Sequence, residues 1–316
     1  MKMTFNCRTL HRSALLQTLA LTLAVLGASQ AQAKLNVVAT MPDLAAIAHE
    51  VGGDDIDVQA LISPKQDPHY ADPRPSLVLA LSRADLLVVN GLELESAWLA
   101  PLQTQARNDR ILVGNPGYLD ASVTVSREQV PTVRIERSQG DIHPGGNPHF
   151  TFAPGPARQI AKALAQKFAR LDAPNAQKYA DRFAAYDKKL ADFEAKWKTK
   201  FASLPDDKRT AIAYHRSLIY VAKWLGLRFP LELEPKPGVP PTPGHLAKVL
   251  KTMKRDGITV VVQEDYYPTR SSETLVKLTK GKLVLLEGGC RFADGDTFIA
   301  HLDRNAQQLY AAMGGK

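Results

Sequence analysis

The sequence is poor in cysteine. Of the two in 316 residues, Cys7 lies in a segment expected to be removed, which leaves Cys290 alone and excludes an intramolecular disulfide framework. No apolar run is long enough to span a bilayer. Nor is charge of one sign concentrated anywhere. The formal net charge is +8, but Lys2, Arg8 and Arg12 of the first segment supply part of it. The remaining basic residues alternate with acidic ones, so a nucleic-acid surface is not indicated. Also missing are an H-E-x-x-H motif, which would mark a zinc hydrolase helix, and any low-complexity tract.

What is present begins with a leader. Residues 1–33 combine a basic start, an apolar stretch from Ala14 to Leu26 and small residues at Ala31 and Ala33, the pattern of a secretory signal cut before Lys34. No cysteine stands at that point to take a lipid, so the mature chain is expected in the periplasm without a lipid anchor. That compartment permits disulfides, but Cys290 has no partner and reads as a small buried residue.

From Lys34 onward, short apolar runs alternate with amphipathic ones. KLNVVAT, DVQALI, DLLVVN and RILVGN read as strands, with MPDLAAIAHEVGG and PSLVLALSRA as helices among them, the order of a parallel sheet wrapped by helices. A proline- and glycine-rich loop covers 130–148, and GPARQIAKALAQKFARLD follows as a helix. Ala176, Tyr179, Phe183, Tyr186, Leu190, Phe193, Trp197 and Phe201 then recur at helical spacing between Pro174 and Pro205, which predicts one long helix with a core-facing stripe. At 1.5 Å per residue it is about 40 Å long and reads as a stiff spine. Beyond it RTAIAY, ITVVVQED and KLVLLEG resume the strands. The expected organisation is α/β: the leader over 1–33, an N-terminal lobe over 34–170, a linking spine helix over 171–203 and a C-terminal lobe over 204–316.

Two stretches repeat one device. In QDPHYADPRPS, His69 follows Pro68 and precedes two more prolines; in NPHFTFAP, His149 stands between Pro148 and Pro154. Proline restricts its own φ and the residue before it, so each imidazole is held in a stiff loop and loses little entropy on binding an ion. His215, in AIAYHRS, ends the first strand of the second lobe, where open α/β sheets present ligand groups. Asp296, in ADGDTFIAHL, opens the last helix, where capping alone would account for it. Glu264 ends TVVVQED beside Asp265. It reads as a partner orienting His215, or as the carboxylate ligand if Asp296 only caps. His143, in the 130–148 loop, is either a solvated loop residue or an accessory ligand. His49, His245 and His301 read as surface or boundary residues, and NGLELESAWL as a turn and helix start with Trp98 packed inward.

DPHYADPRPS, NGLELESAWL, NPHFTFAP, YHRSLIYVAKWLGL and GDTFIAHLDRN, in that order, give the mature chain a sequence that resembles the solute-binding proteins of zinc and manganese ABC importers. The resemblance implies metal ligands at His69, His149, His215 and Asp296, in a cleft between two lobes joined by a backbone helix. It implies a binding protein and not an enzyme: a periplasmic monomer that captures a divalent metal for an inner-membrane ABC permease with its cytoplasmic ATPase. A periplasmic metallochaperone is a further candidate partner. Two departures stand out. Asn147 replaces the usual Asp before the second Pro-His, and the histidine-rich insertion of many zinc members is missing.

Three imidazoles and one carboxylate suit Zn²⁺. Mn²⁺, or Fe²⁺, is the alternative within the same transporter class, since relatives of the manganese type often carry Glu where His215 stands. A secreted zinc hydrolase with Glu264 as base and a metal-dependent adhesin or sensor are the rival functions. The spine is expected to resist a wide hinge, so binding should order loops more than it swings lobes.

Overall fold

The structure, a computed structural model, describes Met1 and residues 33–72, 74–136 and 139–315; residues 2–32 of the expected leader lie outside this set. In the first lobe β1 (Leu35–Ala39), β2 (Ile56–Ala60), β3 (Leu86–Val89) and β4 (Tyr118–Asp120) form a parallel sheet in the order β2-β1-β3-β4. Val37 of β1 lies opposite Val58 on one side and Leu86 on the other. β3 is buried at every residue, as befits an apolar strand covered on both faces. Helices α1 (Pro42–Gly52) and α2 (Pro75–Arg83) each place proline in the first turn, where its missing N–H costs no hydrogen bond. They are followed by α3 (Leu99–Ala106) and α4 (Pro154–Leu171).

The strand order reverses between β1 and β3. The chain leaving the carboxyl ends of β1, β2 and β3 leads to Thr40, His69 and Asn90, so these residues gather at the crevice where open α/β sheets bind ligands.

RILVGN does not form the fourth strand. Arg110 and Ile111 sit in a short 3-10 turn, Leu112 and Val113 are exposed, and Gly114 takes φ 89°. That left-handed glycine, with Pro116 just beyond, breaks any ladder across the segment, and the strand forms at Tyr118 instead.

The long helix is α5 (Ala176–Ala202). Its buried stripe divides between the lobes. Tyr179 lies 5.3 Å from Phe168 of α4, whereas Phe193 lies 5.6 Å from Trp224 of α6 (Ile219–Leu225). Trp197 donates from Nε1 to Asp303 Oδ1 at 2.8 Å, and Phe201 lies 5.3 Å from Tyr310, both partners on α9 (Phe298–Ala312). Each such buried aromatic contributes about 2–3 kcal/mol from apolar area alone.

In the second lobe β5 (Ile212–Ala213), β6 (Val260–Glu264) and β7 (Lys282–Leu286) form a parallel sheet in that order, with α6 and α7 (Pro243–Asp256) between β5 and β6, α8 (Arg270–Thr279) between β6 and β7, and α9 last. One contiguous core passes through the whole body: Val37, Leu44 and Val88 belong to the same buried cluster as Trp197, Val262, Val284 and Leu302. A smaller cluster around Ile212, Val249, Val261 and Leu275 backs the second sheet. Among the described residues no helix is long and apolar enough to cross a membrane.

Candidate metal centre

His69 lies in the loop after β2, His149 in the turn before α4, and His215 just beyond β5. The three rings converge. Their centroids are 5.3 Å (His69 to His149), 5.6 Å (His69 to His215) and 5.0 Å (His149 to His215) apart, and one nitrogen of each lies within 4.8 Å of the others. All three are buried, with exposures of 6, 5 and 4%.

Each ring is held by Nδ1. That of His69 lies 2.7 Å from Asp67 Oδ1, that of His149 3.0 Å from Asn147 Oδ1, and that of His215 2.7 Å from Glu234 Oε2. An oxygen without a hydrogen can only accept, so the proton sits on Nδ1 and the lone pair on Nε2. The Nε2 atoms of His69 and His149 are buried with no hydrogen-bond partner among the described residues. A buried nitrogen left unpaired is costly unless a ligand takes it. An acceptor behind Nδ1 is also what fixes and strengthens a metal-binding imidazole.

The loops under these rings share a construction. The side-chain oxygens of Asp67 and Asn147 also accept from the backbone N of His69 and His149, each at 3.0 Å, closing an Asx turn around each Pro-His pair. Trp98 Nε1 then donates to the Pro68 carbonyl and Asn90 Nδ2 to the Pro148 carbonyl, both at 2.9 Å. Asn90 is anchored in turn by Glu95. That buried carboxyl accepts from Thr40 Oγ1 (2.6 Å) and from the backbone N of Asn90 (2.7 Å) and Gly91 (3.1 Å). Between them Gly91, Leu92 and Glu93 take φ of 87°, 54° and 65°, a left-handed turn that costs energy at the two non-glycine positions. NGLELESAWL is thus more than a turn: both histidine loops hang from it. The signal for this was two side-chain donors, Asn90 and Trp98, in one buried segment between the mounts.

Burial, with the neighbouring His215, His69 and His143, pushes the His149 imidazole well below the ordinary histidine range. Burial acts the same way on His215, but the hydrogen bond and charge of Glu234, helped by Glu264 and Asp67, outweigh it and leave His215 above that range.

Asp296 does not join the histidines. Its carboxylate accepts from Arg304 at both oxygens, at 3.1 Å to Oδ1, and from the backbone N of Thr297 at 3.0 Å. Burial would raise this carboxyl, but the Arg304 guanidinium holds it below the usual range. It does not cap α9 either; Thr297 does, accepting from Ala300 N at 3.2 Å. Glu264 is fully buried at the end of β6, where Oε1 accepts from the Ser217 hydroxyl and Oε2 has no partner. The group hydrogen-bonded to His215 is Glu234, which lies in the irregular LELEPKPG stretch and carries no periodic signal. His143 is buried, not solvated, 5.5 Å from the His69 ring. His301, read as a surface or boundary residue, is 1% exposed between Asp43 at 3.5 Å and Glu287 at 3.2 Å. Cys290 is buried and free, as expected.

The metal ABC transporter substrate-binding lipoprotein FimA of Streptococcus parasanguinis is 28% identical over 255 residues, 79% of each chain. The manganese ABC transporter substrate-binding lipoprotein PsaA of Streptococcus pneumoniae is 27% identical over 248 residues, covering 77% of this chain and 76% of that one. Both are described as lipoproteins, so they lend no support to an unanchored mature chain. A zinc-bound deletion mutant of ZnuA shares the fold at a TM-score of 0.75 with 24% identity, across 90% of this chain and 99% of that one. The family model for zinc-uptake complex component A, periplasmic, matches residues 37–312, so the chain belongs to that family of metal-importer binding components and is not an enzyme.

Proposed function

We propose that Zn²⁺ is the cargo, held by the Nε2 atoms of His69, His149 and His215, taken up in the periplasm by a monomer and passed to an inner-membrane permease driven by a cytoplasmic ATPase. The observation that carries this reading is the common format of the three rings: Nδ1 bound to an acceptor, Nε2 turned inward and, in His69 and His149, unpaired. Three buried nitrogens suit a borderline ion such as zinc, whereas Mn²⁺ stands low in the affinity order and prefers oxygen. With Asp296 engaged by Arg304, the donor set is nitrogen-rich, which favours zinc over the manganese reading. Glu264 supports the site from behind through its charge on His215.

The test is elemental analysis of Lys34–Lys316, then competition of Zn²⁺ against Mn²⁺ on that chain and on His215→Ala. One zinc per chain, lost with His215, is the expected result. Preference for manganese would overturn the metal, and the absence of any stoichiometric metal would overturn the site.

A further inference from the structure

We propose that His69, Asp141 and His143 form a second, outer metal position that shares His69 with the inner triad and receives the incoming cation before it moves inward. The proposal rests on the metal-capture reading above. One ligand atom of each of these residues lies within 4.8 Å of the others, whereas His143 forms no such group with His149 and His215. The geometry therefore gives two overlapping triads, not one four-histidine site.

His143 shares the burial of the other ligands. It is 9% exposed, and among the described residues its Nε2 is buried without a hydrogen-bond partner. The loop that carries it is fixed at both ends. Asp141 N donates to the Pro237 carbonyl of the second lobe at 2.9 Å, and Asn147 N donates to the Glu128 carbonyl at 2.8 Å. At Gly145 a Cβ would meet Leu92 Cδ2 at 2.6 Å, so a side chain there would have to displace Leu92. Asp141 Oδ2 lies 3.8 Å from His69 Nε2 and is 43% exposed.

The surroundings give this outer triad a direction. Asp141 lines an open cavity of about 350 Å³ together with His69, Tyr70 and Glu93. It also lines a small one of about 40 Å³ shared with His143, His149 and His215. A hydrated cation entering the larger space meets the exposed carboxylate first, then His143, and exchanges its waters in steps. His69 has a single free nitrogen, since Nδ1 is held by Asp67, so it serves one ion at a time and the two positions exclude each other.

The test uses Co²⁺ as the probe on Lys34–Lys316, followed by its visible absorption at equilibrium and in stopped flow. Wild type should take up one Co²⁺ and never two. His149→Ala should keep a weaker cobalt site with a different spectrum, and the pair His149→Ala/His143→Ala should lose it. His143→Ala alone should still fill with one Co²⁺ but associate several-fold more slowly, and Asp141→Asn, a side chain of the same shape, should do likewise. A double variant that still binds as His149→Ala does, His143→Ala or Asp141→Asn loading as fast as wild type, or two ions bound at once would overturn the outer position while leaving the capture reading intact. Failure of the wild-type chain to bind Co²⁺ or Zn²⁺ at all would overturn both.

Discussion

The two histidine mounts are alike in backbone and different in chemistry. Around His69 the acceptor is a carboxylate, Asp67, which is partly exposed and, among the described residues, makes no side-chain hydrogen bond to the second lobe. Around His149 it is an amide, Asn147, and the amide has a second hand. Its Nδ2 donates to Gln129 Oε1 at 3.0 Å and to the Arg216 carbonyl at 2.7 Å, next to His215 in the other lobe. A carboxylate has no hydrogen to give that carbonyl. The first mount thus sets a carboxylate against its imidazole, while the second gives up that charge to tie the ligands of both lobes together. Tyr220 reinforces the tie by donating to the Asn147 carbonyl at 2.9 Å.

Removing either ring should have the largest effect. His69→Ala or His149→Ala should lower zinc affinity by more than about 100-fold, beyond the usual loss for a supporting group, as read by chelator competition. Exchanging the acceptors should separate the mounts. Asn147→Asp places a carboxylate against the Arg216 carbonyl, so it should cost about 1–3 kcal/mol of stability as well as affinity. Asp67→Asn keeps its Asx turn and should lower affinity by about tenfold with little change in melting temperature. Equal losses of stability in the two exchanges would remove the distinction drawn here.

Trp98→Phe and Asn90→Ala each delete one hydrogen bond to a proline carbonyl. Each should cost about 1 kcal/mol, measured by urea unfolding, with metal affinity falling only a few-fold.

Acidification should act on the two histidines in opposite senses. His215, held above the ordinary value of about 6.5, takes its proton first as pH falls, and each further unit should then cost about tenfold in zinc affinity. Titration from about pH 7.5 to about pH 5.5 reads this directly, and a flat profile would contradict the triad. In the metal-free protein, the raised value of His215 gives stability that is present below about pH 6.5 and lost as pH rises through its folded value. The lowered value of His149 instead removes stability as pH falls below about 6.5. The smallest effect is expected at Asp296, where Asn should leave zinc affinity unchanged.

The pieces legible in the sequence were those with a local cause. Proline on both sides marked His69 and His149, and a helical period sustained from Ala176 to Phe201 marked the long helix. Pieces that depend on a distant partner were not. An Asp before a helix looks the same whether it caps, binds metal or pairs with Arg304 two turns later. Glu234 meets His215 only because the chain folds back beside β5, where Leu233 N and Glu234 N donate to Ala213 and Tyr214. RILVGN has the composition of a strand, but the conformation of Gly114 decides otherwise.

The core that runs unbroken from Val37 to Leu302 also has a thermodynamic meaning. Lobes that share a core do not melt separately, so heating should give a single cooperative transition with matching calorimetric and van't Hoff enthalpies. Metal held by ligands of both lobes then raises the melting point of the whole body, by a free energy of RT ln(1 + [L]/Kd). Destabilising changes in helices far from any histidine should accordingly be offset, in whole or in part, by saturating the chain with its ion.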